Sequence, residues 1–311
     1  MMSNQVIRLI NASKKDFKQM NARDLKDSIL RSEGRVVMGQ HLLFAGEGLV
    51  RGVTNTELMA AFGADMVMLN TLNLNDLSKN PGLMGLSVEE IKEKAGIPVG
   101  IYLGCPGKNE PPKSPYYDVE GMTATREHIN LAKELGADFI VLGGNPGSGT
   151  SIQDIIETTR LAREVCGEDM LIFAGKWEDG VKEKVLGDPL AERDAKEIIK
   201  ELIDAGADVI DLPAPGSRHG ISVHMIQELV QFVHTYKPGT LTMAFLNSSV
   251  ENADVETIRQ IALKMKETGA DIHAIGDGGF GGCSTPENLL QLSISLKGKS
   301  YSYFRMASRN R

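Results

Sequence analysis

The residues best suited to chemistry stand at the ends of apolar segments. Lys176 and Asp211 each close an apolar run of the sequence, and His219 follows Asp211 in the next polar stretch. A lysine among apolar neighbours can lose its proton and act as a base or nucleophile, and an aspartate can exchange a proton with a histidine. These three residues are the candidate catalytic group. Lys176 would polarise a carbonyl or form an imine, while Asp211 moves a proton with His219.

Simpler interpretations of these residues stay open. Lys176 also suits a plain cation that binds an anion or pairs with a nearby acid, and a lone acid such as Asp211 often has a structural role. Oxygen ligands of the kind that Mg²⁺ prefers are present at Asp211, Asp277, Glu47 and Asp179, so a metal-dependent lyase or mutase is an alternative. No spacing enforces a metal site, the metal is unknown, and no nucleotide cofactor is predicted.

A glycine-rich turn near the C-terminus indicates an anion site. Five of the seven residues 276–282 are glycine, which lets the backbone present bare N–H groups, and Thr285 and Pro286 then begin a helix. A second Gly/Ser turn spans 143–151. The predicted phosphate-binding or substrate-binding residues are Asn70, Asn145, Ser148, Asn247, Ser248, Gly276, Asp277, Gly278, Gly279, Gly281 and Gly282.

The elements that must position these residues repeat along the chain. Apolar runs typical of buried strands start near Val36, Met66, Pro98, Asp138, Met170, Asp208, Leu241 and Asp271, at intervals of 30 to 40 residues. Four of the units begin with Gly-Ala-Asp, and amphipathic helical segments lie between the strands. Eight such units predict a single (β/α)₈ TIM barrel, an α/β fold whose active site lies at the C-terminal ends of the strands.

The barrel is predicted over residues 35–298. Residues 1–34 form an N-terminal extension with an extra helix near 22–32, and residues 299–311 form a basic tail. A doubly wound sheet is the alternative fold, but the dinucleotide-type glycine turn is missing after the first strand. Long loops at 104–123 and 176–189 are typical of lids or subunit contacts, so a homo-oligomer is expected.

Charge and composition narrow the class of partner. The net charge is −7, the pI is near 5.5 and three cysteines are scattered along 311 residues. This balance argues against nucleic acid and an anionic membrane as partners. The sequence has no signal-peptide pattern and no apolar segment of membrane-spanning length, so a cytoplasmic protein is expected.

Parts of the sequence resemble known barrel families. The overall plan resembles phosphate-binding (β/α)₈ barrel enzymes, and residues 52–69 are similar to the first βαβ unit of the isocitrate lyase and phosphoenolpyruvate mutase group. The acidic metal-binding motif of that group is missing at 103–106 and 142–145, so its Mg²⁺ chemistry is not carried over. The whole chain resembles a bacterial barrel family whose members are sometimes labelled haloacid-dehalogenase-like. That label requires Asp-x-Asp-x-Thr/Val, which this sequence lacks, so a haloacid-dehalogenase phosphatase is excluded.

Together these features favour an aldolase-like lyase or an isomerase that acts on a small phosphorylated sugar or keto acid. The competing hypothesis is a non-catalytic barrel that binds a phosphorylated metabolite and acts as a sensor. Convergence of Lys176, Asp211 and His219 on one point would favour catalysis, and side chains that point apart would favour binding.

Overall fold

A computed structural model of the protein describes residues 6–108, 120–145, 147–178, 183–277 and 281–308. Eight parallel strands form a closed barrel in the order of the sequence. They are β1 Val36–Leu42, β2 Met66–Asn70, β3 Val99–Gly104, β4 Phe139–Gly143, β5 Leu171–Gly175, β6 Val209–Pro213, β7 Leu241–Leu246 and β8 Ile272–Ile275. The predicted TIM barrel is therefore confirmed, and each strand begins within one residue of the predicted start.

Helices follow the strands and cover the barrel. Among the described residues they are α1 Lys14–Phe17, α2 Ala22–Leu30, α3 Asn55–Ala61, α4 Val88–Ala95, α5 Arg126–Glu134, α6 Ile152–Cys166, α7 Ala195–Ala205, α8 Val223–Tyr236, α9 Val255–Glu267 and α10 Pro286–Ala307. Thr54 and Ser87 form capping boxes at the starts of α3 and α4, and Thr285 caps α10 as predicted. No helix in this part of the chain is long and apolar enough to cross a membrane.

Alternate residues of each strand pack on opposite sides of the barrel wall. Met38, Met66, Phe139, Phe173 and Met243 belong to the core inside the barrel. Their strand neighbours pack outward against the helices in a second core. Because both faces are apolar, the strands read as continuous hydrophobic runs, which is typical of a buried parallel sheet.

The repeated Gly-Ala-Asp segments pin the register between neighbouring strands. In each one, the Asp carboxylate accepts a hydrogen bond from a backbone N–H at the start of the preceding strand, and the Asp N–H donates to the carbonyl of the same residue. The pairs are Asp65 with Val37 at 2.9 Å, Asp138 with Val99 at 2.8 Å, Asp208 with Ile172 at 3.1 Å and Asp271 with Thr242 at 2.8 Å. Each Gly takes a positive φ that ends the preceding helix, as at Gly63 with φ 108°.

The most buried of these carboxylates also joins the two ends of the chain. Asp65 accepts from Lys297 Nζ at 2.6 Å and from Arg305 Nε at 2.9 Å, and all three side chains are at most 1% exposed. Arg305 also donates to the carbonyls of Leu9 and Ala12. Burial lowers the pKa of Lys297 to about 8 although Asp65 opposes this shift. The N-terminal segment and α10 are therefore held on the closed end of the barrel by one charge cluster.

Replacement of Asp65 is expected to destabilise the fold strongly. Asp65→Asn keeps an acceptor for the Val37 N–H but leaves Lys297 and Arg305 buried without an anion, so the free energy of unfolding should fall by about 3–5 kcal/mol. Urea unfolding at neutral pH measures this loss. The matched control is Asp138→Asn, because Asp138 occupies the same position in another unit with one partly exposed partner, Lys92. A loss at Asp65 no larger than that at Asp138 would contradict the interpretation.

Candidate active site at the barrel mouth

Charged side chains gather at the C-terminal ends of the last four strands. Glu178 follows β5, Arg218 follows β6, Glu251 follows β7 and Asp277 follows β8. The carboxyl ends of parallel strands meet at one face of a barrel, which is where barrel enzymes place their active sites. This face is therefore the candidate site.

The pKa of Glu178 is close to neutral pH. The carboxyl accepts a hydrogen bond of 2.7 Å from Asn247 Nδ2. Burial raises the pKa of Glu178 to about 8; the positive charge of Arg218 opposes this, and the carboxylates of Asp277 and Glu251 add to it. A carboxyl with this pKa is protonated or ionised depending on small changes around it, as a general acid or base must be.

Arg218 is close enough to influence Glu178 but is not neutralised by it. Its charge lowers the pKa of Glu178, yet no described carboxylate lies within salt-bridge distance of its guanidinium. The Nε of Arg218 is buried and has no hydrogen-bond partner in the described part of the chain. The guanidinium therefore keeps donors for an anionic group.

Gly276 allows the loops after β7 and β8 to approach each other. A Cβ at this position would lie 3.2 Å from Glu251 Oε1 and 3.4 Å from Asn247 Oδ1. On the other side of the mouth, Gln40 Nε2 in β1 donates to Asp277 Oδ2 at 3.3 Å. The acids after β7 and β8 thus share one region with the amide of Asn247.

The loop after β7 holds strained backbone at the same place. Ser248 and Ser249 have φ angles of 79° and 71°, which cost about 1–2 kcal/mol for each residue that is not glycine. The Ser248 N–H donates to Asn247 Oδ1 at 2.6 Å and stabilises this turn. The Ser248 hydroxyl has no partner among the described residues. Strain of this kind concentrates at functional sites.

The side chain of Asp211 faces the interior of the barrel and is not exposed at the mouth. Its side chain is fully buried on the same face of β6 as Val209, and neither carboxyl oxygen has a hydrogen-bond partner in the described structure. Burial raises the pKa of Asp211 well above its ordinary value. Burial therefore favours the protonated form of the carboxyl, which can donate a hydrogen bond, whereas a general base would have to be ionised.

Trp177, the single tryptophan, lies across the interior of the barrel at the level of the mouth. Its ring stacks on Phe245 with centroids 5.3 Å apart and meets Tyr102 edge-on at 6.2 Å. A Cβ at Gly143 would lie 2.7 Å from the ring, so only glycine fits beneath it. The indole Nε1 is buried and has no hydrogen-bond partner among the described residues.

The three predicted catalytic residues have different surroundings. Lys176 Nζ lies 3.4 Å from the carbonyl of Thr150. It is also near Cys105, which packs on the helix-facing side of the wall; burial raises the pKa of the Cys105 thiol, and the charge of Lys176 opposes this. Asp211 faces the interior, and His219 is exposed to solvent. Their predicted catalytic roles stay a prediction, and the geometry supplies no convergence of the three on one point.

The glycine turn after β8 has a packing role where it is described. The carbonyl of Gly282 accepts from the Leu42 N–H at 2.7 Å, and the carbonyl of Gly281 accepts from Asn55 Nδ2. A Cβ at Gly281 would lie 2.4 Å from the side chain of Leu49. These glycines therefore let the last loop pack against the loop after β1. Gly278 and Gly279 lie outside the described residues, so the phosphate-binding hypothesis stays untested.

The remaining predicted binding residues mostly support their own turns. Asn70 Oδ1 accepts from the Thr71 N–H, the carbonyl of Asn145 accepts from the Ser148 N–H, and the Ser148 hydroxyl donates to Thr150. Asn247 differs from them because its amide contacts Glu178.

A metal centre is not assembled by the residues whose positions are known. Within the described ranges, no three His, Cys, Asp or Glu side chains are close enough together to hold a metal ion. Of the oxygen ligands considered from the sequence, Asp179 lies outside those ranges, while Asp211 is enclosed in the barrel wall.

Sequence comparison defines the family. The model described as "Domain of unknown function (DUF7916)" matches residues 10–311. The chain belongs to the DUF7916 family. No curated protein matches the sequence well enough to count as a relative. These findings give no support to the haloacid-dehalogenase label.

Solved structures with a similar fold include a domain of pyruvate carboxylase. The carboxyl transferase domain of Rhizobium etli pyruvate carboxylase with pyruvate gives a TM-score of 0.53 at 12% identity, over 99% of this chain and 53% of that chain. The same domain with 3-bromopyruvate gives 0.54 at 14%, over 98% and 53%. A 2,3-dimethylmalate lyase of the PEP mutase/isocitrate lyase superfamily gives 0.49 at 14%, over 82% and 80%. This DUF7916 protein thus spans about half the length of the carboxyl transferase domain, and the similarity shows the fold alone.

Two residues of the site were given no role from the sequence. Glu178 and Arg218 stand among the polar residues that close strands, but they are separated by 40 positions, and no local pattern links them. The sequence indicates that Trp177 and Lys176 point in opposite directions, because residues 171, 173, 175 and 177 share one face of the strand and Lys176 lies on the other. Which face is the interior cannot be read from the sequence, since both are apolar.

Asp211 is expected to make the stability of the protein depend on pH. Its folded pKa is raised, so the folded state holds a proton that the unfolded chain releases near pH 4, and stability falls as pH rises above that value. Asp211→Asn cannot ionise and should remove this component. The stability of the variant relative to wild type should therefore increase as the pH rises from about 4 towards the raised folded pKa of Asp211, by up to about 1.4 kcal/mol per pH unit, over the range from pH 5 to pH 8 in which folding is measured.

Urea unfolding of both proteins across this pH range measures the difference. Other titrating groups, such as the buried His41 and His273, are common to the two proteins and cancel. A difference that stays constant with pH would mean that Asp211 is not a buried acid with a raised pKa.

Proposed function

We propose that this DUF7916 protein is a lyase or isomerase that moves a proton at the carbon beside the carbonyl of a small keto acid. The single observation that carries the proposal is Glu178, a barrel-mouth carboxyl with a pKa of about 8 that touches Asn247 and is influenced by the charge of Arg218. Glu178 would transfer the proton, and Arg218 would bind the carboxylate of the substrate.

The pKa of Glu178 suits this reaction. An ionised carboxylate with a raised pKa is a stronger base than an ordinary one, and it gives the proton back readily. Asn247 fixes the orientation of the carboxyl through its 2.7 Å hydrogen bond. Its other amide atom is used by the turn at Ser248, so the position of Asn247 is itself constrained.

The charges at the mouth favour a carboxylate over a phosphate as the anionic group. Glu178, Glu251 and Asp277 surround the region, and Arg218 is the cation whose influence on Glu178 is resolved. A phosphate dianion would be repelled by the acids more strongly than a single carboxylate would. A monoanionic keto acid adds less negative charge to the region than a phosphate dianion would. Pyruvate, the molecule present in one carboxyl transferase domain of this fold, is a natural first substrate to test.

Exchange of substrate hydrogen for deuterium tests the proposal directly. In D₂O the protein should catalyse loss of the C3 proton signal of pyruvate or 2-oxobutyrate in ¹H NMR. Glu178→Gln should lower this rate by at least about 100-fold, since a general base contributes a factor of this order. The matched control is Glu183→Gln, because Glu183 lies in the same loop but accepts from the Ile152 N–H at the start of α6.

The pH dependence of exchange gives a second readout. The base must be ionised, so the rate should rise about tenfold per pH unit below pH 8 and level off above it. Arg218→Gln should raise KM and leave the pH profile displaced upward, because loss of the positive charge raises the pKa of Glu178 further. Absence of exchange for all keto acids tested, or equal rates in wild type and Glu178→Gln, would contradict the proposal.

A non-catalytic binding barrel is the second candidate. It is favoured by the separate surroundings of Lys176, Asp211 and His219, because side chains that do not converge on one point are expected of a binding protein rather than an enzyme. Such a protein would bind keto acids in calorimetry without catalysing exchange, so the same experiment distinguishes the two.

A further inference from the structure

Two polar groups inside the barrel have no hydrogen-bond partner among the described residues, although buried polar groups almost always have one. They are the indole N–H of Trp177 and the carboxyl of Asp211, which are 3% and 0% exposed. Their neighbours in the interior core are apolar, as at Phe173, Val209 and Met243. Groups of this kind in a native structure call for an explanation, and a role in ligand binding is one.

The strand register places the two groups at neighbouring levels. Gly175 pairs with Asp211 across β5 and β6, and Phe245 pairs with Pro213 across β6 and β7. Trp177 is two residues beyond Gly175 and stacks on Phe245, so its ring lies one level nearer the mouth than Asp211. Both side chains belong to the interior face of the wall.

Two glycines keep this part of the interior clear of other side chains. A Cβ at Gly175 would lie 2.1 Å from the carbonyl oxygen of Asp211, and one at Gly143 would lie 2.7 Å from the ring of Trp177. Both distances are shorter than the contacts that Cβ atoms make in real structures. Neither glycine contributes a side chain here, so Trp177 and Asp211 supply the polar side-chain groups at these two levels of β5 and β6.

We propose that Trp177 and Asp211 together bind the carbonyl oxygen of the substrate and form an oxyanion hole inside the barrel mouth. This inference rests on the proposed keto-acid function and adds to it the group that stabilises the reaction intermediate. An indole N–H can only donate, and a carboxyl that keeps its proton donates through its O–H. Two donors select an acceptor such as a carbonyl or enolate oxygen.

The reaction step is balanced without any further reagent. Glu178 in its ionised form takes a proton from the carbon beside the carbonyl, and the electron pair of that C–H bond forms a carbon–carbon double bond. The π pair of the carbonyl moves to oxygen and gives an enolate, which accepts hydrogen bonds from Trp177 and Asp211. Return of the proton from Glu178 to carbon restores the carboxylate.

Oxalate, a planar dianion that resembles the enolate of pyruvate, is the probe: one carboxylate would bind Arg218, as that of pyruvate would, and the charge of the second would be stabilised by the donors of Trp177 and Asp211 rather than lie among the acids of the mouth. Because Trp177 is the single tryptophan, its fluorescence reports on this site alone, and oxalate should change its intensity or emission maximum. Isothermal titration calorimetry gives the Kd for the variants. Trp177→Phe keeps a ring against Phe245 but has no N–H, and it should bind oxalate about tenfold or more weakly.

Asp211 is tested by a pair of variants of similar size. Asp211→Asn keeps a donor and should bind oxalate within about threefold of wild type, whereas Asp211→Leu has no donor and should bind about tenfold or more weakly. Far-ultraviolet circular dichroism and thermal unfolding confirm that each variant is folded. The amide variant would bind poorly if Asp211 acted in its ionised form, and that result would overturn the inference.

The outcomes separate this inference from the proposed function. If wild type binds oxalate and exchanges pyruvate protons, and Trp177→Phe and Asp211→Leu bind oxalate as tightly as wild type, the oxyanion hole is wrong and the function stands. If wild type neither binds oxalate nor catalyses exchange, the function fails and the inference fails with it.

Discussion

Four aspartate carboxylates at the closed end of the barrel hold the strands in register, and the rest of the structure depends on them. Each carboxylate completes the hydrogen bonding of a backbone N–H at the start of a strand and lies beside a cation or histidine of a helix, as Asp208 does with Lys26 and Arg163. Asp65 extends the same contact to both ends of the chain through Arg305. Because register and closure are fixed at this end, the opposite end is free to carry groups that do not stabilise the fold.

The parts of the fold that the sequence predicts are those set by local chemistry. Gly-Ala-Asp ends a helix and begins a strand within three residues, and the cap at Thr54 needs only Glu57 nearby. Strand starts could therefore be predicted to within one residue. The orientation of side chains could not, because β5 is apolar on both faces. Trp177 belongs to the interior core and Lys176 lies beside the carbonyl of Thr150, and the sequence alone does not distinguish these two orientations.

The glycines after β8 show why residue type alone does not fix a role in the predicted site. A glycine can serve a bound anion or a close approach of two chain segments, and the sequence does not distinguish them. Gly281 and Gly282 pack against Leu49 and Leu42. Burial and the charges of three other loops set the raised pKa of Glu178, so the shift arises only when the barrel has formed. Such long-range coupling leaves no local trace in the sequence.

Buried charged groups stabilise the fold at the closed end of the barrel, whereas buried polar groups towards the mouth destabilise it. This difference argues for a function at the mouth. Asp65 lies in a cluster with two cationic partners, while Asp211 is equally buried and has no hydrogen-bond partner within the described ranges. A buried carboxyl without partners destabilises the folded state, and a leucine in its place would fill the interior at lower cost. The strained turn at Ser248 and Ser249, in the loop after β7, also destabilises the folded state. Stability alone does not account for either feature, whereas a ligand whose oxygen completes the missing hydrogen bonds accounts for the acid and for the indole N–H of Trp177 together.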